Sequence, residues 1–262
     1  MIAQNHISFP IYIPRVCRLL KNWPLYLFNY LSRSKKPAQY CFRDGYSLID
    51  GTGTLAGTIA VVFIRREYGL LQKFRTIVDI GANMGSFAVY AAQNCPDATI
   101  FCYEPQQENF EFLTRNILAN SLEYRVSAFK CAVASTSEQR KIGIAESPTH
   151  SLLSSTVGTA TQTVRCTTLN EIIVSQKLKG IDFLKINCEG AEYEILESCS
   201  RADFDRILNI RLEYHNLDGK ERNGAALARF LENRGFKISR LTRYREKAGL
   251  FPESGFLWAS RT

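Results

Sequence analysis

Short apolar runs alternate with segments of helical periodicity along most of the chain. The runs predict buried strands, and apolar residues three and four positions apart predict helices between them. The predicted strands cover 76–80, 99–103, 126–133, 182–187 and 207–214, and the helices cover 85–94, 107–119, 190–199 and 222–234. This order is typical of an α/β protein, with a parallel sheet and helices on both of its faces.

Both ends of this pattern depart from the alternation. Residues 236–241 and 255–260 predict two strands joined directly by a loop, so the sheet should end in an antiparallel hairpin. Nearer the start, 39–51 predicts a short hairpin around its Asp-Gly pair, and 58–71 predicts a helix.

A stretch rich in Ser and Thr, residues 135–168, interrupts the alternation and shows no convincing helical period. Its flanks, 140–145 and 162–167, are compatible with strands, which leaves a loop over 146–161 that carries His150. Loops of this length are usually functional lids or disordered insertions. We expect this loop to cover the site where a substrate would bind.

The net charge of +8 is concentrated in an arm over 1–38, which precedes a domain over 39–262. Residues 1–43 hold seven basic residues and no acidic one, so they carry +7 and the remainder carries +1. A neutral domain gives no indication of a nucleic-acid groove.

The arm is also apolar and aromatic, which leaves two interpretations open. Basic residues and prolines interrupt its apolar positions, so it does not read as a spanning helix of about 20 apolar residues or as a secretion signal. One interpretation is a set of helices packed on the domain. The other is a basic interfacial helix over 11–36 that makes peripheral contact with an anionic membrane.

The chain has eight cysteines, but no two follow a C-x-x-C spacing, and most lie within apolar runs. Buried free thiols have this distribution, whereas zinc sites and disulfide frameworks do not. We therefore expect a reducing compartment, the cytoplasm.

The segment VDIGANMGSF, residues 78–87, places an acid before a glycine turn. A dinucleotide fingerprint needs a third glycine where this chain has Asn83, and Asp79 would repel a pyrophosphate. The acid suits instead a cationic ligand without phosphate. S-adenosylmethionine carries a sulfonium and an ammonium, and Gly81 and Gly85 would let it approach the backbone closely.

The second predicted strand ends in FCYEP, which places Glu104 nineteen residues after Gly85. An acid at this place typically accepts hydrogen bonds from both hydroxyls of a ribose. The alternative is that Asp79 and Glu104 only cap the helices that follow them. Two caps would not require this spacing, so the pair of motifs favours a site for the donor.

A third motif, FLKINCEGAEYEILE, covers 183–197. The strand ends at Asn187, and Glu189 and Glu192 lie in or near the first turn of the next helix. Acids there also favour the helix dipole, so a structural role is an equal alternative. Ligands in open α/β sheets bind at the carboxyl ends of strands, which favours a functional role.

A fourth motif, NIRLEYHN, covers 209–216. Alternation places Arg211, Glu213 and His215 on one face of the predicted strand. Three charged or titratable groups on one face of a buried strand need partners. Glu213 and His215, at the end of the strand, are candidates for contact with a substrate that accepts a group from the donor.

Four segments in order, VDIGANMGSFAVYAA, YEPQQENFEFLTRNILAN, IDFLKINCEGAEYEIL and IRLEYH, resemble the FkbM-type methyltransferases. This resemblance runs from about residue 42 to about residue 260. It implies the class I S-adenosylmethionine-dependent methyltransferase fold, a Rossmann-like three-layer sandwich with a mostly parallel seven-stranded sheet ending in an antiparallel hairpin. It also implies O-methylation of a sugar, a glycan or a natural product. The family usually has Asp where this chain has Asn187, so no metal ligand is expected there.

Methyl transfer to a hydroxyl needs a base for the hydroxyl proton. His215 has the most suitable ordinary pKa, and Glu213 and Glu189 would orient it or bind the acceptor. The predicted cofactor-binding residues are Asp79, Gly81, Ala82, Asn83, Gly85, Glu104, Pro105 and Asn187. We expect S-adenosylmethionine as cofactor, no metal, and a small molecule or glycan as acceptor.

The sequence argues against one other function and leaves two alternatives to O-methylation open. Nucleic acid is not expected as a partner, since NCEG stands where enzymes that methylate its amino groups have an Asn/Asp-Pro-Pro-aromatic motif. An NAD-dependent reductase and a non-catalytic binding module of the same fold remain the alternatives.

Overall fold

The computed structural model describes residues 9–71, 73–143, 161–218, 220–243 and 254–261, and within them the chain forms nine α-helices and thirteen strands. The strands are β1 (Ala38–Cys41), β2 (Ser47–Asp50), β3 (Thr76–Ile80), β4 (Thr99–Tyr103), β5 (Val126–Phe129), β6 (Ala132–Val133), β7 (Arg140–Gly143), β8 (Thr161–Val164), β9 (Cys166–Thr167), β10 (Phe183–Ile186), β11 (Asn209–His215), β12 (Lys237–Leu241) and β13 (Ser254–Ser260). The helices are α1 (Ile13–Leu19), α2 (Trp23–Ser32), α3 (Leu55–Ile59), α4 (Ser86–Asn94), α5 (Gln107–Ala119), α6 (Leu169–Ser175), α7 (Glu192–Glu197), α8 (Arg201–Phe204) and α9 (Gly224–Glu232).

Seven strands form the central sheet, in the order β12-β13-β11-β10-β3-β4-β5. Strands β3, β4, β5, β10 and β11 pair in parallel, and β13 runs antiparallel to both β11 and β12. This arrangement confirms the predicted fold class, including the closing hairpin. Because β10 and β11 are neighbours, the two later motifs end at the same edge of the sheet.

Alternate residues of the same strands enter two different apolar layers. Ile77 of β3 and Ile100 of β4 belong to a cluster that includes the arm and helices α3 to α5. Val78 and Phe101, the next residues along, belong to a second cluster that includes helices α6 to α9. The period of two in a strand produces this separation. The sheet therefore lies between two helical layers.

The arm packs on the domain through its inner face. Val16, Leu20 and Tyr26 have no exposed surface and share the apolar cluster of the domain. Leu20 also pairs with Phe42, and the side chain of Asn22 bonds to the backbone of β1 at 2.7 and 2.9 Å. Within the described ranges, no helix has the length and apolar character needed to span a bilayer.

The predicted helix over 58–71 has the wrong bounds. Helix α3 begins earlier, and the chain then forms a π-helical turn over Ala60–Ile64, in which the N–H of Arg65 donates to the carbonyl of Ala60 at 2.8 Å. Arg66 and Gly69 have φ angles of 55° and 85°, which a right-handed helix does not include. The helix therefore cannot continue to residue 71.

The predicted strand over 126–133 is interrupted. The N–H of Cys131 donates to the carbonyl of Phe129 at 3.0 Å, and this turn ends β5. The chain resumes as β6, which pairs with β9 outside the central sheet. An unbroken apolar run gives no sign of such a break.

Strands β7 and β8 pair antiparallel and support the two predicted flanks of the Ser/Thr-rich stretch. The predicted loop over 146–161, with His150, lies outside the described residues except for Thr161.

Helix α6 was not predicted, although Thr168 and Glu171 form a capping box that the sequence could have revealed.

Candidate active site

A cavity of about 310 Å³ lies where β3, β4, β10 and β11 end. Segments 81–83, 104–105 and 187–189 line it together with Glu213, and α3 and the π-helical turn form another wall. The predicted site residues that line it are Gly81, Ala82, Asn83, Glu104, Pro105, Asn187, Glu189 and Glu213. The predicted residues that do not line it are Asp79, Gly85 and His215.

The turn after β3 brings three strands close together. Gly81 has a φ of 75°, and a Cβ built there would lie 1.8 Å from the carbonyl oxygen of Asn187. The N–H groups of Gly81 and Ala82 both donate to the carbonyl of Tyr103, each at 3.0 Å. Only glycine fits such an approach. Gly81, Ala82 and Asn83 of this turn also line the cavity.

Glu104 lies at the end of β4 and is 5% exposed. Its Oε2 accepts from the N–H of Asn83 at 2.8 Å, and its Oε1 accepts from the N–H of Gln106 at 3.0 Å. Burial raises the pKa of this carboxyl, and the two backbone hydrogen bonds oppose the rise. The side chain of Asn109 also hydrogen-bonds to this carboxyl. A carboxylate has about four acceptor sites, so capacity remains to accept from a ribose hydroxyl.

Helix α4 begins at Ser86. Gly85 is the residue before the helix and has a φ of 88°. The Ser86 hydroxyl lines the cavity, is buried, and has no hydrogen-bond partner among the described residues. A buried hydroxyl without a partner is costly, which makes Ser86 a candidate ligand contact.

Asp79 lies beneath the cavity rather than in its wall. Its side chain has no exposed surface and pairs with Lys185, whose Nζ lies 2.9 Å from Oδ1. Burial raises the pKa of the Asp79 carboxyl, and the charge of Lys185 opposes that effect. Direct contact between Asp79 and a cationic donor therefore stays a prediction, and this geometry does not favour it.

Glu213 reaches the cavity from β11. Its Oε2 accepts a hydrogen bond from the side-chain amide of Asn187 at 3.1 Å. Burial raises the pKa of Glu213 to about 7, although the charge of His215 acts in the opposite direction. A carboxyl with this pKa can give up and accept a proton near neutral pH.

His215 is held between two carboxylates. Its Nε2 lies 3.2 Å from Glu189, and its Nδ1 lies 3.2 Å from Glu192, which has no exposed surface. Burial lowers the pKa of His215, but the hydrogen bond to Glu192 and the charge of Glu189 outweigh it and raise the pKa to about 9. Both ring nitrogens then carry protons, so His215 is a cation at neutral pH.

The clamp around His215 depends on the turn after β10. Glu189 has a φ of 52°, an uncommon conformation for a residue with a side chain. Glu192 accepts from the N–H of Gly190 at 2.8 Å and from the N–H of His215 at 2.6 Å. Glu192 therefore fixes the turn and the strand end together. Burial also raises the pKa of Glu189.

The sequence analysis missed several cavity residues, among them Ser86, Lys185 and Tyr68. Lys185 is a charged residue inside a buried strand, which was a usable signal, since such a group needs a partner. Tyr68 is 3% exposed and stacks edge-on against Phe87, and its place in a predicted helix concealed it. Among the described residues, no group of three or more His, Cys, Asp or Glu side chains could hold a metal ion.

This chain is similar to several curated relatives. One is methyltransferase sdnD of Sordaria araneosa, 26% identical over 195 residues, which covers 63% of this chain and 74% of that protein. Another is 31-O-demethyl-FK506 methyltransferase FkbM of Streptomyces tacrolimicus, 25% identical over 196 residues, which covers 62% of this chain and 72% of that protein.

A solved structure is also similar, the methyltransferase FkbM of Methylobacillus flagellatus KT. It has a TM-score of 0.49 and 12% identity, with 95% of this chain and 58% of that chain covered. The family model of the methyltransferase FkbM domain matches residues 79–238, more than half of the chain. The protein therefore belongs to the FkbM methyltransferase family.

Proposed function

We propose that the protein transfers a methyl group from S-adenosylmethionine to a hydroxyl of a sugar, a glycan or a natural product. Membership of the family makes it an S-adenosylmethionine-dependent methyltransferase; the hydroxyl and the acceptor class are the proposal. The observation that carries it is Glu213, a cavity carboxyl whose pKa is raised to about 7 by burial. A base of this strength suits the removal of a hydroxyl proton.

The end of the cavity near β3 and β4 fits the donor. Glu104 offers two carboxylate oxygens to the ribose hydroxyls, and the 81–83 turn exposes backbone to the ligand. The buried Ser86 hydroxyl supplies a polar group that lacks a partner among the described residues. When bound, S-adenosylmethionine supplies a methyl group attached to a positively charged sulfur.

Glu213, rather than His215, is the proposed base. The Glu213 carboxylate takes the proton of the acceptor hydroxyl. The side-chain amide of Asn187 donates to this carboxylate at 3.1 Å and holds the carboxylate in place. His215 is not the proposed base, because Glu189 and Glu192 raise its pKa to about 9 and favour its protonated form at neutral pH. Its positive charge instead lowers the pKa of Glu213, which burial alone would raise further. His215 is therefore a positioning residue.

The acceptor end of the cavity presents hydrogen-bond acceptors. Asn187, Glu189 and Glu213 are among the residues that line it. Such a wall binds hydroxyl-rich molecules and repels carboxylates and phosphates. The name of one relative, a 31-O-demethyl-FK506 methyltransferase, describes O-methylation of that compound, which supports a hydroxyl acceptor for this protein.

The proposed partners are a small molecule or glycan acceptor and a membrane surface that contacts 11–36, and nucleic acid is not among them. All eight cysteines are free thiols, four of them buried, which supports a reducing compartment such as the cytoplasm.

A screen for methyl transfer tests the proposed function. The protein is incubated with methyl-labelled S-adenosylmethionine and panels of sugars, glycan fragments and hydroxylated natural products. We expect S-adenosylhomocysteine and an acceptor labelled at an ether oxygen. Label at nitrogen in every active acceptor would overturn O-methylation. Donor binding without turnover across the panels would favour a binding module of the same fold.

A further inference from the structure

The outer face of α2 is apolar. Leu25, Phe28 and Leu31 are 41%, 64% and 68% exposed, and their spacing of three places them along one side of the helix. Tyr26 and Asn29, on the other side, are buried against the domain. A surface helix normally presents polar residues to water on its outer side. Helix α2 thus has apolar residues on both sides.

The segment before α2 also has exposed apolar residues. Ile11 and Ile13 are 65% and 38% exposed. Among the described residues, five of the eleven large hydrophobic side chains that are exposed lie between 11 and 31. We call these five residues, Ile11, Ile13, Leu25, Phe28 and Leu31, the outer arm face. A concentration of exposed apolar side chains in one segment indicates a candidate interaction site.

Basic side chains flank α2 in the sequence, and acids are absent. Arg18 and Lys21 precede α2, and Arg33, Lys35 and Lys36 follow it directly, all of them exposed. The first acid in the chain is residue 44. An apolar centre with bases at both ends matches the interface of an anionic bilayer, where acyl chains lie beneath negative headgroups.

We propose that the outer arm face lies in the interfacial layer of an anionic bilayer, with these five bases among its headgroups. The inner face of the same helices stays packed on the domain, so docking requires no unfolding of the arm. The two interpretations of the arm are therefore compatible, since they concern opposite faces.

Charge argues against a second copy of the chain as the occupant. A symmetric dimer through α2 would bring the bases of one copy close to the same bases of the other. No acid within 1–43 would offset that repulsion. An anionic bilayer gains from each of these charges, by an amount that falls as salt rises.

The helix that carries the outer arm face adjoins one wall of the cavity. Helix α2 contacts α3, and the Arg15 guanidinium donates to the carbonyl of Ile64 at the end of the π-helical turn. Helix α3 and this turn form one wall of the cavity. Docking would therefore place that wall near the bilayer surface.

Co-sedimentation with vesicles tests the proposal on the full-length chain. We expect the protein to sediment at low salt with vesicles of phosphatidylcholine and phosphatidylserine, and to be released as salt rises. Vesicles of phosphatidylcholine alone should retain much less. Sedimentation equilibrium without vesicles measures whether the chain forms dimers.

Two pairs of variants separate the face from general surface effects. F28S with L31S should weaken partitioning by about tenfold or more, because two exposed apolar side chains are lost. L118S, at an apolar residue of α5 that is 57% exposed, is the matched control and should change little. K35Q with K36Q should weaken partitioning by about tenfold to thirtyfold, and K177Q with K179Q serves as its control.

Three results would overturn the proposal: no binding to anionic vesicles at low salt, equal loss in face and control variants, or a dimer that the face variants dissociate. Binding of S-adenosylhomocysteine, measured in every variant, reports on the proposed function separately. It should be unchanged, since none of these residues lines the cavity.

Discussion

The Nζ of Lys185 lies 2.9 Å from Oδ1 of Asp79, and neither side chain is more than 5% exposed. The two residues face each other on paired strands β10 and β3. Lys185 also donates to the carbonyl of Gly81 at 2.6 Å, in the turn that borders the cavity. The acid before the glycine turn thus has its counter-charge within the protein, and the same lysine holds the turn.

Removing either partner of this pair should destabilise the fold. Lys185→Met leaves a buried carboxylate without its counter-charge, and Asp79→Leu leaves a buried ammonium, so each should lower the free energy of unfolding by about 3–5 kcal/mol. The double variant should recover most of that loss, because apolar residues of similar volume replace the pair. Urea unfolding of the four proteins measures the coupling.

The exposed pair of Arg201 and Asp205 provides the control, with side chains 66% and 51% exposed. Arg201→Met should change the free energy of unfolding by less than about 1 kcal/mol. If the free energy of unfolding of the double variant fell by the sum of the decreases in the two single variants, the two side chains would not act as a pair.

The pH dependence of methyl transfer should follow Glu213. The base acts as a carboxylate, so kcat/KM should fall about tenfold for each pH unit below its pKa of about 7. Glu213→Gln should lower kcat by about 10²–10⁴-fold and remove this limb. Rates between pH 5 and about 9 in both proteins provide the measurement.

Glu123→Gln changes an exposed carboxylate outside the cavity and should leave the profile of Glu213 intact. A Glu213→Gln variant that keeps the wild-type limb would exclude Glu213 as the titrating base.

His215→Gln should move the acidic limb rather than abolish it. The imidazolium charge lowers the pKa of Glu213, so its removal raises that pKa and shifts the limb to higher pH. Above the shifted limb, kcat should lie within about tenfold of the wild type. A loss of about 10²–10⁴-fold at every pH would instead identify His215 as the base.

Glu104→Gln should weaken binding of S-adenosylhomocysteine by about tenfold or more, because charge-assisted hydrogen bonds to hydroxyls become neutral ones. Calorimetry on the variant and on Glu123→Gln, the exposed control, measures the difference. Equal affinity in wild type and Glu104→Gln would remove Glu104 from the donor site.

Pattern alone was sufficient where one face of an element is buried. On β11, Ile210, Leu212 and Tyr214 are buried and the residues between them are partly exposed, as the alternation predicted. Glu104, Asn187 and Glu213 line one cavity. Their common location could be predicted from the sequence, because parallel strands end at the same edge of a sheet.

Pattern carries no information on a charge state that depends on a distant partner. The counter-charge of Asp79 is supplied by Lys185 on another strand, and no local spacing links the two. The ordinary pKa of His215 predicts a base, and this role stays a prediction. Its actual state depends on Glu189 and Glu192, which come from a different turn. Assigning a charge state therefore required the folded arrangement.

The π-helical turn over Ala60–Ile64 makes one cavity wall sensitive to insertion and deletion. Such a turn holds one residue more between its bonded groups than an α-helical turn does. Deleting a residue there would let α-geometry continue and would rotate the side chains that follow by about 100° around the helix axis. Val61 and Val62 would then face elsewhere. Two homologues with the same lining residues but differing by one position here would enclose acceptors of different shape.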